Sequence, residues 1–136
     1  MKLSARAEYA CLAVIALARH EVSQQPVRIR EIAEAHAIPE RYLVQILIQL
    51  KAAGLVHSQR GSSGGYRLSR PAEQISLGEV LTAIEGPGDP PREAQGPAHQ
   101  ALGTILEEIR ANTQEVLART SIAQIAGYER PVNWVI

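Results

Sequence analysis

The segment Ile38-Pro39-Glu40-Arg41-Tyr42-Leu43-Val44-Gln45-Ile46-Leu47 decides the fold, together with the segment a few residues on, Leu55-Val56-His57-Ser58-Gln59-Arg60-Gly61-Ser62-Ser63-Gly64-Gly65-Tyr66-Arg67-Leu68-Ser69. In the first, Leu43, Ile46 and Leu47, continued by Leu50, recur at helical spacing and form a buried stripe. The face away from that stripe presents Glu40, Arg41, Tyr42 and Gln45. Pro39 suits a first helical position, where its missing N–H costs nothing, and Gly54 suits a C-terminal stop. In the second segment, residues 55–60 and 66–69 read as strands joined through a turn at 61–65, whose glycines supply the positive φ that a tight hairpin needs. Strand alternation sends Tyr66 and Leu68 inward and Arg67 outward.

Upstream, Ile29, Ile32 and Ala33 mark a short helix to about His36, and Ala37-Ile38-Pro39 makes a turn. Two helices joined by so short a turn form a helix-turn-helix, and a hairpin directly after the second helix is a wing. Further upstream, Ser4 caps a helix with apolar positions Ala7, Cys11, Val14, Ile15 and Ala18, ending near His20. The interruptions at Arg6, Glu8 and Arg19 make it an amphipathic helix, not a secretory signal. Downstream, Ser76-Leu77-Gly78-Glu79 has capping-box spacing and opens a helix through Val80, Leu81 and Ile84. Residues 86–97 contain four prolines and read as a loop. Beyond it, Leu102, Ile105, Leu106, Ile109, Val116 and Leu117 trace one apolar face over roughly five turns. The expected architecture is mainly α: a winged helix-turn-helix (1–85) with a two-stranded wing, a proline-rich loop (86–97), a long C-terminal dimerisation helix region (98–126), and a tail (127–136) holding Trp134.

At 136 residues and 46% hydrophobic content, the chain has room for one modest core and an appended element. No apolar run reaches the roughly 18 residues of a membrane span, and a cytoplasmic location is expected. The formal net charge is zero, yet residues 1–70 carry ten Lys/Arg against five Glu, while residues 71–136 carry four Arg against nine acids. Such a split points to a basic working surface on the first half. The single cysteine, Cys11, cannot form an internal disulfide and sits on an apolar stripe, so it reads as a buried inert thiol. His20, His36, His57 and His99 show no paired metal-ligand spacing, and residues 61–65 lack the Gly-Lys-Ser/Thr ending of a phosphate loop. No nucleophile–base pair stands at suggestive spacing, so neither an enzyme nor a metal or cofactor is expected. The apolar face from Leu102 to Leu117 has little chain left to cover it, which favours burial against a second copy.

Several segments in order resemble the Rrf-two family of bacterial regulators, which includes the IscR, NsrR and CymR types. They are Met1-Lys2-Leu3-Ser4, Ile32-Ala33-Glu34, residues 38–47, Ala53-Gly54-Leu55-Val56, residues 60–68 and Ile75-Ser76-Leu77-Gly78-Glu79-Val80. The resemblance implies a winged helix-turn-helix that dimerises through its long C-terminal helix and binds a roughly palindromic operator, most simply as a repressor. Three departures stand out. The loop before the last helix lacks the three cysteines of the sensing members, Arg28 stands where many members cap the second helix with Ser or Thr, and Val44 replaces an acid of the recognition helix. Some members draw cluster ligands from the first helix, which marks Glu8.

On this resemblance, Gln45 and Arg41 are candidates to read adenine and guanine, with Glu40 beside them, and Tyr42 to reach phosphate. Arg60 is the candidate for a narrow minor groove, approached closely because Ser62, Ser63 and Gly64 are small. Tyr66, Arg28 and Arg67, the last across the hairpin and on phosphate, complete the expected double-stranded DNA contacts. Two rival readings stay open: a cluster- or metal-sensing regulator, and an interaction module controlled by a partner enzyme.

Overall fold

Ser4 opens the first helix, α1 (Ala5–Arg19), with extended backbone and an Oγ that accepts the Ala7 N–H at 3.1 Å. The computed structural model describes residues 2–127, so the Trp134 tail lies outside the described residues. The expectation of a simple amphipathic α1 needs correction. Ala13, Val14, Ile15, Ala16 and Leu17 are buried in succession, which covers more than a full turn. The second half of the helix is therefore a core element, while its first turns keep Ala5, Arg6 and Glu8 exposed. Its neighbours are α2 (Ile29–His36), α3 (Glu40–Ala52), α4 (Leu77–Glu85), α6 (Ile122–Gly127) and the second wing strand, β2 (Gly65–Leu68).

Between α2 and α3 the chain turns at Ala37, whose left-handed backbone (φ 51°) ends α2. Pro39 lies one position earlier than expected. Its extended ψ of 124° makes it the N-cap, and its carbonyl accepts from Tyr42 and Leu43 at 3.0 and 3.1 Å. The buried stripe of α3 is Leu43, Ile46, Leu47 and Leu50, all fully enclosed, and Gly54 with φ +77° lets the chain leave the helix.

The wing pairs β1 (Val56–Gln59) antiparallel with β2, setting Val56 opposite Leu68 and Gln59 opposite Gly65. A further pairing was not expected: Val27 bridges to Tyr66 through two hydrogen bonds of 2.8 Å, giving the wing a one-residue third strand. A short 3-10 turn (Ala72–Gln74) then leads to α4. The Ser76 capping box is present, with Ser76 Oγ accepting the Glu79 N–H at 3.1 Å and Glu79 Oε2 accepting the Ser76 N–H at 2.9 Å. The Arg70 guanidinium, 2.8 Å from Glu79, and the Ser76 backbone N–H hold that carboxyl below the usual range.

The last long helix, α5 (Pro97–Arg119), begins at Pro97, so the loop closes at Gly96. Its C-terminal end returns to the body. Leu77 N–H donates to Thr120 O, Ile122 N–H donates to Ile75 O, and Ile122 is fully buried. The expected single region 98–126 therefore divides at Thr120, where α5 ends and α6 folds back against α1. Truncating Leu47 to Ala, in a site sealed on every side, should cost about 2–5 kcal/mol. Urea unfolding followed by circular dichroism checks this, and a loss well under 1 kcal/mol would contradict the packing.

Candidate nucleic-acid interface

The outward face of α3 carries Glu40, Arg41, Tyr42 and Gln45, all exposed, with Val44 half-buried beside them. The Arg41 guanidinium lies 5.0 Å from the Tyr42 ring centroid, a cation–π contact that holds both side chains at the helix start. Ile48, 51% exposed, extends the same face by one turn. It was missed in the sequence because it stands between buried Leu47 and Leu50 and reads as part of their stripe.

Beside this face, a cleft between the helix pair and the wing is lined by Arg28, Arg30, Glu40, Arg60, Ser62 and Tyr66, among others. Arg28, Glu40, Arg60, Ser62, Gly64 and Tyr66 of the expected set thus come together. Arg30 joins them, legible in hindsight only as a second arginine at the start of α2. Arg60, Ser62 and Ser63 are exposed at the wing turn. Gly64 is buried within the hairpin, where an added Cβ would stand 2.2 Å from the Gln59 carbonyl oxygen. Its lack of a side chain closes the turn and exposes no surface.

Arg67 is placed apart from these. It sits opposite His57, not opposite Arg60, because the turn pairs Gln59 with Gly65 and moves every later residue toward the wing's root. There it lines a second hollow with His20, Glu21 and Leu17. On α5, Leu102, Ile105, Leu106, Ile109 and Val116 are between 46% and 57% exposed on one face. Leu117 departs from the expected set: it is buried and packs beneath Gly78, where an added Cβ would lie 3.3 Å from Leu117 Cβ.

The Rrf2 family model, described as an iron-dependent transcriptional regulator, matches residues 3–128. A Mycobacterium tuberculosis protein named as an HTH-type transcriptional regulator is 39% identical over 140 residues, covering 96% of this chain and 84% of its own length. The HTH-type transcriptional regulator CymR of Bacillus subtilis is 34% identical over 130 residues, covering 94% and 91%. Among solved structures, CymR, described as the global cysteine regulator of B. subtilis, superposes with a TM-score of 0.82 at 32% identity over 94% of this chain and 98% of that one. T. potens IscR gives 0.79 at 29% identity, over 95% and 89%.

The donor set here does not fit the iron named in that family description. Among the described residues no three His, Cys, Asp or Glu gather closely enough to hold a metal. Burial, reinforced by Glu85 and Glu8, pushes the Cys11 thiol up to about 11, so it stays protonated and a poor ligand near neutrality. In the first turn of α5, His99 Nδ1 already accepts the N–H of Gln95 in the preceding loop at 2.9 Å. No helix of the described residues is long and apolar enough to cross a membrane.

A second close approach at the interface is that of Gly65 to Val27. An added Cβ would stand 2.4 Å from the Val27 carbonyl oxygen, at a φ of +153°. Gly65→Ala should therefore lower stability by about 1–3 kcal/mol by overpacking. Gly61→Ala, with open space around its Cβ, should cost less. Denaturant midpoints of the two variants decide the point, and equal midpoints would show that the Gly65–Val27 contact is looser than described.

Proposed function

Because the chain belongs to the Rrf2 family of transcriptional regulators, we propose that it is a sequence-specific DNA-binding regulator, acting as a homodimeric repressor on a palindromic operator with no bound cluster. One observation carries the reading: the polar face of α3 meets the arginine-lined wing cleft at Glu40, which belongs to both. Arginine and glutamine offer bidentate donors to base edges in a major groove, and Ile48 offers an apolar contact to a thymine methyl. Arg60, on a turn made of small residues, has the shape and charge for a narrowed minor groove. Arg30 adds positive charge beside it and so favours a phosphate backbone. Arg67, at the wing's root, is left at the edge of this surface.

The exposed apolar face of α5 supports pairing with a second copy. Five half-exposed Leu, Ile and Val side chains in one row are costly to leave in water, and each is worth roughly 1.5–3 kcal/mol when fully buried. Two copies would present their recognition helices to half-sites about 34–36 Å apart. In this reading residues 1–85 form the DNA-reading unit and α5 forms the pairing element, with α6 returned to the reading unit. The setting is cytoplasmic.

Selection of bound sequences from a random duplex pool tests the proposal directly. A palindromic consensus is expected, and failure to enrich any sequence would overturn it. Arg60→Ala should weaken binding to the selected duplex by about 5- to 100-fold in a fluorescence-anisotropy titration. Unchanged affinity would remove the wing from the interface. The double substitution Ile105→Glu, Ile109→Glu should leave a folded monomer in sedimentation equilibrium and abolish tight duplex binding, whereas a persisting dimer would place the pairing face elsewhere.

A further inference from the structure

Arg28 occupies the N-cap of α2 with extended backbone (φ −73°, ψ 147°) and makes no side-chain cap. It could not do so, since a guanidinium has five donors and no acceptor, while a cap must accept an N–H. Its guanidinium instead donates to the backbone carbonyl of Ser62, in the wing turn, across a sequence separation of 34 residues. The residue before it, Val27, is joined to Tyr66 by the paired 2.8 Å hydrogen bonds, and Gly65 lies so close to Val27 and Arg28 that no Cβ fits. On the other strand, Lys51 at the end of α3 donates to Ser58 Oγ at 2.7 Å. Among the described residues, the wing is thus held beside its turn by the backbone pairing at Tyr66, along the other strand by a lysine and at the turn itself by Arg28.

We infer that Arg28 is a positioning residue for the wing tip: it latches the turn that carries Arg60 onto the start of α2 in the free protein, so that the tip meets DNA already oriented. The inference deepens the proposed DNA-reading function and rests on it for its consequence, although the latch itself exists without DNA. A tip held in advance gives up less conformational freedom on binding, which strengthens association without adding a contact. It also separates Arg28 from the phosphate-binding arginines. Replacing a phosphate contact flattens the dependence of log K on log salt by about 0.9, whereas replacing a latch leaves that slope unchanged.

Amide hydrogen exchange of the free protein, read by NMR for the wild type and Arg28→Ala, tests the latch. The Gly64 N–H, bonded to Gly61 O within the turn at 3.0 Å, should exchange about tenfold faster in the variant, while the Tyr66 N–H, held by the Val27 carbonyl, should not change. Arg28→Ala should bind the selected duplex several-fold more weakly with an unaltered salt slope. Unchanged exchange at Gly64, or a slope flatter by about one phosphate, would overturn the inference. The exchange measurement decides it even if the wild type were to bind no duplex, a result that would instead defeat the proposed function.

Discussion

Small side chains on α1 set the terms for the rest of the molecule. Ala7, Ala10 and Ala13 are wholly enclosed, and Ala16 nearly so, on a helix that touches α2, α3, α4 and α6. Helix axes approach to the short end of their usual range, about 8 Å, only where the intervening residues are this small. Larger residues there would push out several elements at once, because each leans on the same helix. Cys11 belongs to this arrangement: its thiol is surrounded by packing, and its raised pKa follows from the same enclosure.

Around that pillar the molecule relies on two kinds of attachment. The recognition helix is held by a stripe of leucine and isoleucine that admits no water. The wing buries little and is held by backbone pairing with Val27, by the absence of a side chain at Gly65 and by single polar ties. Apolar burial is non-directional and tolerates some sliding, whereas hydrogen bonds and a close backbone approach specify an angle. Each attachment matches its task, since a wing without a core of its own must still be aimed.

Features carried by local periodicity or local chemistry were legible in the sequence. The α3 stripe repeats at helical spacing, the Ser76 and Glu79 pair is a reciprocal arrangement three residues apart, and the glycine-rich turn announces the hairpin. What escaped depends on partners far away along the chain. The Val27 bridge is one residue long and leaves no pattern. Arg67 was expected across the hairpin, but its exact partner, His57, depends on a register that only the folded turn fixes. Val116 and Leu117 are neighbours within one apolar arc, about 100° apart on the helix, and only the position of α4 decides that one faces out and the other in. Alanine, indifferent in most patterns, hid the continuous burial of Ala13 to Leu17 on α1, and the six residues of α6 are too few to show a period.

One mechanical property follows from how α5 is rooted. Its end near Leu117 is clamped to Gly78 and continued into α6, while residues 97–112 are exposed throughout and project as a cantilever. At 1.5 Å per residue that free arm is roughly 24 Å long, so a tilt of about 5° at the root displaces its tip by about 2 Å. The glycine- and proline-bearing segment 86–96, exposed throughout, joins α4 to the far tip of this arm. Leverage is therefore concentrated at the Gly78–Leu117 seam: a methyl group gained or lost there changes the reach of the whole arm, whereas equal changes along the arm alter only its own surface.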